Sequence, residues 1–145
     1  MIWTKVSDEL LEILQPYSDW FFKQDLNWLE ELAKNNEKNT DTIENSCSDE
    51  YLKEIVDKDG RHIGYPEISY CYDLRRGGLP GEFQEKYQNL SKELCTWLGA
   101  RNEAVHVYYP KNGFMAWHNN WNAHGYNILL SYTKNGGGFF KYRDP

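Results

Sequence analysis

The segment EAVHVYYPKNGFMAWHNNWNAHGYNILLSYTKNGGGFFKYRDP, residues 103–145, decides the fold that this sequence predicts. Residues 105–109 alternate in polarity and are rich in β-forming side chains, and Asn112-Gly113 in the turn that follows supplies positions with positive φ. Three further segments are predicted strands: residues 114–118, 126–133 and 139–142. Four strands joined by short turns favour an antiparallel sheet or part of a barrel.

The second of these strands ends in a histidine that is a candidate metal ligand. Side chains alternate along a strand, so His118 shares a face with Phe114 and Ala116, and Asn120 joins that face if the strand continues. A His-x-(Asp/Glu) pair on a strand supplies two of the three ligands of a 2-His-1-carboxylate iron site. In His118-Asn119-Asn120 an amide stands at the carboxylate position.

The order and spacing of these elements resemble the first half of the catalytic core of the 2-oxoglutarate/Fe(II) oxygenases, in particular the prolyl-hydroxylase-like branch. The segment also resembles oxygenase-like proteins that bacteriophages encode. The matching elements are Tyr109-Pro110-Lys111-Asn112-Gly113, His118-x-Asn120, Asn127-Ile128-Leu129-Leu130-Ser131-Tyr132 and Gly136-Gly137-Gly138-Phe139-Phe140. The resemblance implies an α+β fold in which helices pack on a partial double-stranded β-helix, that is, a jelly-roll or cupin-like sheet.

The resemblance also implies Fe(II) and 2-oxoglutarate as cofactors, and hydroxylation of a peptide or small molecule as the reaction. His118 and Asn120 stand at metal-ligand positions, and Tyr109 and Tyr132 at positions where the family's tyrosines donate hydrogen bonds to 2-oxoglutarate. A neutral amide balances the charge of Fe(II) less well than a carboxylate, so the site should bind metal weakly. The family's second histidine and its basic cosubstrate partner lie beyond Pro145 in that fold, so the resemblance covers only the N-terminal part of the core. The chain is expected to be a fragment, a naturally truncated relative, or a chain whose sheet another chain completes.

Other roles for the same residues remain open. His118 can be a strand histidine bonded to its neighbours, and the two tyrosines can simply pack. His124 can fold back beside His118 and Asn120, or lie in solvent. The alternative function is a non-catalytic binding or accessory protein that acts through protein contacts. The open sheet edge at residues 139–142 is expected to pair with a partner strand or with a second copy in a homodimer. The alternative is that a segment of the same chain, near Ile2-Trp3 or Ile68-Tyr72, folds back and covers this edge.

The length of 145 residues predicts a single domain. Residues 1–65 should be mainly helical, with a polar loop at 35–48. Residues 66–145 should hold a strand at 68–72, a long helix at 82–98 and the four-stranded β-core. Three N-terminal helices are predicted, and each follows a capping residue. The first covers residues 8–14 after Ser7 and is ended by Pro16. The second covers residues 26–33 after Asp25, with Leu29 and Leu32 inward, and the third covers residues 49–56 after Ser48.

The helix at 82–98 carries the clearest apolar stripe in the chain. Its members recur at helical spacing: Phe83, Tyr87, Leu90, Leu94 and Trp97/Leu98. Gly99 stands where a left-handed residue usually ends a helix. We expect Phe83, Leu90 and Leu94 to be buried against the sheet of residues 104–142.

Charge and cysteine usage restrict the partners and the compartment. The net charge of −6 argues against duplex nucleic acid, which binds basic surfaces. Three cysteines, an odd number with no C-x-x-C pair, favour a reducing compartment. The acidic N-terminus does not resemble a secretory signal, and no apolar run is long enough for a membrane helix. The sequence therefore predicts a soluble, cytoplasmic protein.

Overall fold

The structure is a computed structural model of the chain, and it describes residues 5–59, 66–101, 106–119, 128–134 and 136–142. Within these residues the fold is α+β, with helices and two small antiparallel sheets. The elements are α1 (Asp8–Phe21), α2 (Asn27–Lys34), α3 (Ile43–Ser46), α4 (Asp49–Asp59), β1 (Ser69–Tyr70), β2 (Tyr72–Asp73), α5 (Gly81–Leu98), β3 (Val107–Tyr108) and β4 (Phe114–Met115). No helix in the described ranges is both long and apolar enough to cross a membrane.

The sheet forms along one segment, residues 68–74. β1 pairs with β4, and β2 pairs with β3, both antiparallel, with Ser69 opposite Met115 and Tyr72 opposite Tyr108. Of the predicted strands at 105–109 and 114–118, residues 107–108 and 114–115 form strands, and they pair with this earlier segment and not with each other. The predicted turn is confirmed, since the Gly113 N–H donates to the Pro110 carbonyl at 2.8 Å and Asn112 has a φ of 61°. This turn forms a bulge, residues 109–113, between strands β3 and β4.

Helix α1 runs straight through Pro16, so the prediction that the helix ends there was wrong. Proline removes one helical hydrogen bond and crowds the preceding turn. Beyond it, however, Phe21 lies in the main core with Tyr17 and Trp20 packed against it. Burial of these rings favours the helical continuation more than the proline opposes it. The predicted cap is confirmed, because the Ser7 Oγ accepts a bond from the Leu10 N–H at 3.3 Å.

The core cluster joins the helices to the sheet. Its buried members are Phe21, Leu29, Leu74, Phe83 and Tyr108. Leu29 and Ala33 of α2 are fully buried, whereas Leu32, which was predicted to point inward, is 39% exposed. The helix face is thus rotated relative to the prediction. In the predicted polar loop at 35–48, Thr42 caps the short helix α3.

Helix α5 confirms the predicted long helix, and Gly99 ends it with a φ of 63°. Phe83, Tyr87 and Leu90 are buried, but Leu94 is only half-buried, which corrects the prediction for that residue. The helix packs chiefly on α1 and not on a broad sheet. The ring centroids of Phe83 and Trp20 lie 4.8 Å apart.

The described parts of the last segment, residues 128–134 and 136–142, contain no strand. The strands predicted at 126–133 and 139–142, and with them the four-stranded β-core, are therefore not seen in these residues. Residues 126 and 127 lie outside the described part. A strand forms only where its backbone groups pair with a neighbouring strand, and in the described residues the pairs are β1 with β4 and β2 with β3.

Candidate functional site

His118 lies three residues beyond the end of β4, and the backbone leading to it is firmly held. The Ala116 N–H donates to the Ile68 carbonyl at 3.1 Å, and the Ala116 side chain is 1% exposed. The His118 side chain itself is exposed. The rigid end of the sheet thus presents an imidazole to solvent.

One hydrogen bond defines which nitrogen of that imidazole is available. His118 Nδ1 lies 2.7 Å from the Ala116 carbonyl oxygen. A carbonyl oxygen only accepts, so Nδ1 carries the hydrogen, and in the neutral ring Nε2 has the lone pair. Histidine ligands of metals commonly donate their second ring N–H to a backbone carbonyl in this way.

The residue between Ala116 and His118 is anchored to another part of the chain. Trp117 Nε1 donates to the Ser48 carbonyl at 2.8 Å. The neighbouring Cys47 thiol lies 3.8 Å from the Met115 carbonyl. Sequence reasoning recognised Ser48 only as a helix cap and missed this contact, because nothing in the local pattern links positions 69 residues apart.

The predicted second ligand, Asn120, lies outside the described residues, as does the alternative, His124. Their geometry beside His118 therefore stays a prediction. Among the residues that the structure describes, no group of three or more His, Cys, Asp or Glu side chains is placed to hold a metal ion.

Tyr109, a predicted cosubstrate ligand, follows β3 in the bulge. Its hydroxyl lies 3.8 Å from Met115 Sδ, so it contacts the strand that leads to His118. Nearly half of the residue surface is exposed, yet its phenol end contacts protein. Burial raises the pKa of Tyr109 well above its usual value, and the nearby Cys71 thiol adds to this effect. The phenol therefore keeps its hydrogen at neutral pH and remains a donor.

Tyr132, the other predicted cosubstrate ligand, lies against the end of α1. Its ring stacks on Phe22 with centroids 5.1 Å apart and an interplanar angle of 25°. Half of its surface is exposed. Among the described contacts, none joins Tyr132 to Tyr109 or to His118.

The described site thus consists of one oriented imidazole, which follows a strand end tied to the start of α4, and of a protonated phenol that contacts the same strand at Met115. Comparisons with family models, with curated proteins and with solved structures find no match to this chain.

Proposed function

We propose that this chain is part of a 2-oxoglutarate/Fe(II) oxygenase-like protein, in which His118 is a metal ligand and Asn120 the neutral residue beside it. The observation that carries the proposal is the 2.7 Å bond from His118 Nδ1 to the Ala116 carbonyl, which leaves the exposed ring with a lone pair on Nε2. Imidazole suits Fe(II), whereas an amide oxygen adds no charge to balance it. The residues therefore fit a weak iron site.

The proposed protein would use Fe(II) and 2-oxoglutarate to activate O2 and hydroxylate a C–H bond of a peptide or small molecule. Tyr109 supports this proposal because its phenol stays protonated, and a fixed phenol can donate to a carboxylate of the cosubstrate. We also propose that Tyr132 serves as the second donor. The finer fold that belongs to this proposal is a partial jelly-roll or cupin-like sheet with helices packed on it, to which the short strands β1–β4 would belong.

Anaerobic calorimetry with Fe(II), with and without 2-oxoglutarate, tests the metal site. His118→Ala should lower Fe(II) affinity about tenfold or more, because it removes the one oriented nitrogen ligand. Asn120→Asp should raise it about tenfold, or ~1.4 kcal/mol, because a carboxylate balances the metal charge. His62→Ala removes an imidazole elsewhere in the chain and should leave binding unchanged. Equal Fe(II) binding by the parent chain and His118→Ala would contradict the proposal, as would the absence of any gain in Asn120→Asp.

The second candidate is a non-catalytic binding protein that acts through residues 128–142. The observation that favours it is the exposure of large apolar side chains in this segment: Ile128 60%, Leu129 64%, Phe139 61%, Phe140 46% and Tyr142 49%. Apolar patches of this kind are typical of interaction surfaces. The partner in this case is a protein or peptide strand, or a second copy of the chain.

A further inference from the structure

The start of α4 is an unusually well-bonded point of the fold. The Ser48 Oγ accepts a bond from the Tyr51 N–H at 3.0 Å and donates to the Asn45 carbonyl at 2.6 Å. The Ser48 carbonyl accepts both the Leu52 N–H at 3.2 Å and the Trp117 indole N–H at 2.8 Å. The Ser48 N–H also donates to the Asn45 carbonyl at 3.1 Å. A residue held by five hydrogen bonds has little freedom to move, so it can act as a fixed reference for the side chain that is bonded to it.

The side chain bonded to the Ser48 carbonyl is that of Trp117, the residue directly before His118. The Ala116 carbonyl and the His118 ring are separated by the backbone torsions of Trp117, followed by the φ and the side-chain torsions of His118 itself. On the Ala116 side the chain is fixed by its bond to Ile68. On the other side the indole bond to Ser48 limits rotation at Trp117. Together these two restraints keep the Ala116 carbonyl facing His118 Nδ1.

We propose that Trp117 is a positioning residue for His118: its indole bond to the Ser48 carbonyl fixes the Nδ1–H tautomer and leaves Nε2 as the lone-pair nitrogen. The consequence for metal binding rests on the function proposed above, but the tautomer itself does not. A free histidine side chain favours the opposite tautomer, with the hydrogen on Nε2. The fold therefore selects the form in which the outer nitrogen can accept a metal or a proton.

Long-range nitrogen–proton NMR of the histidine rings in mildly alkaline solution, where imidazole is neutral, reports the tautomer directly. The native chain should show His118 as the Nδ1–H form. In Trp117→Phe, which keeps an aromatic ring but lacks the donor, the population should shift toward the Nε2–H form. The amide of Ala116 should stay protected from exchange, because its bond to Ile68 does not depend on the indole. Trp97→Phe, at an indole that is 46% exposed on α5, is the matched control and should leave the tautomer unchanged.

An unchanged His118 tautomer in a folded Trp117→Phe overturns the proposal. If Trp117→Phe does not fold, indole hydrogen exchange and the His118 tautomer of the native chain test the proposal instead. There the Trp117 indole hydrogen should exchange more slowly than that of Trp97, and an equally fast exchange or an Nε2–H His118 overturns the proposal as well.

Titration with Co(II) separates this proposal from the proposed function. Co(II) should bind the native chain at His118 and bind Trp117→Phe about 10–100-fold more weakly, the usual loss when the group that orients a ligand is removed. If Co(II) leaves the native His118 resonances unaffected, the metal function fails, while the tautomer shift alone still decides the role of Trp117. If Co(II) binds both proteins equally and the tautomer does not shift, the role of Trp117 fails and the metal site stands.

Discussion

At the scale of single residues, Gly113 shows how tightly the bulge is packed on the sheet. A Cβ atom at this position would lie 2.7 Å from Pro110 Cδ and 2.8 Å from the carbonyl oxygens of both Pro110 and Tyr70. Two of these three atoms belong to the backbone and cannot swing aside. The close approach, and not a positive φ, is what requires glycine here.

We therefore expect Gly113→Ala to lower the free energy of unfolding by about 1–3 kcal/mol, the usual range for an overpacked site. Gly137→Ala is the matched control, because nothing lies within 4 Å of a Cβ placed there. It should change stability by less than about 0.5 kcal/mol. Chemical denaturation of both variants measures the difference, and equal effects would show that the bulge relaxes freely.

Tyr17 is a second residue whose surroundings predict a measurable property. Its ring packs on Phe21 and lies 5.9 Å from the ring of His106. Burial raises the pKa of Tyr17 to about 12. The unfolded chain loses this proton near pH 10. Between about pH 10 and pH 12 the unfolded state therefore holds fewer protons, and stability must fall as the pH rises.

In Tyr17→Phe the free energy of unfolding should fall less steeply across that window than in the parent chain. Burial and the nearby Glu30 also raise the pKa of Tyr108 to about 12. Part of the loss of stability with rising pH therefore remains in Tyr17→Phe. Tyr142→Phe, which removes an exposed phenol, is the control. Denaturation at a series of alkaline pH values checks this, and identical slopes for Tyr17→Phe and the parent would contradict the burial of this phenol.

At the scale of elements, helix α5 carries an apolar stripe that is buried only in its first part. Its first turns lie over α1 and the sheet, where Phe83 and Tyr87 are buried and the Tyr87 ring lies 4.6 Å from His106. Toward its end the apolar side chains emerge, and Trp97 is 46% exposed. The apolar residues thus continue along the sequence of α5 beyond the part of the helix that is buried.

Two matched truncations test this gradient. Leu90→Ala should cost about 2–5 kcal/mol, because Leu90 is 7% exposed and a cavity would remain. Leu94→Ala should cost about 1–2 kcal/mol, because a half-buried leucine has less apolar surface to lose. Thermal or chemical unfolding of the two variants gives the comparison. Equal losses would mean that Leu94 is covered as completely as Leu90.

At the scale of the whole molecule, the apolar segment 128–142 contrasts with an acidic chain. The segment is joined to the rest by the stacking of Tyr132 on Phe22 and by the bond from Lys141 Nζ to the Cys47 carbonyl at 2.8 Å. Its apolar side chains are exposed, which favours association. The net charge of −6 opposes association between copies, and salt screens that repulsion.

We expect the chain to self-associate at micromolar concentration, and more strongly in high salt. The double variant Ile128→Lys with Phe139→Lys should shift sedimentation toward a 17.2 kDa monomer, because it places charge in the apolar segment. Val56→Lys, at an exposed apolar residue of α4, is the control and should sediment like the parent. A parent chain that is monomeric at all salt concentrations would remove the reason to assign association to this segment.

The local pattern was sufficient for several helix ends and for the turn. Ser7, Ser48 and Gly99 act at the helix ends where the sequence places them, and Asn112 adopts its positive φ. These features depend on bonds within a few residues, so a short stretch of sequence contains the whole cause. The α+β class, which the resemblance implied, agrees with the helices and small sheets of the described residues.

The pairing of strands and the surroundings of His118 depended on tertiary structure. Local alternation indicates that residues 107–108 and 114–115 are extended, but it does not say that both pair with 69–73, since the choice of partner is a competition among distant segments. Helix α1 continues past Pro16 for a related reason, because the rings beyond it are buried against residues far along the chain. His118 was selected as a candidate metal ligand from its sequence pattern, and that role stays a prediction. The Ala116 carbonyl that faces His118 Nδ1 lies only two residues away in the chain, whereas the bond from Trp117 to the Ser48 carbonyl joins residues 69 positions apart and was decided by the tertiary structure.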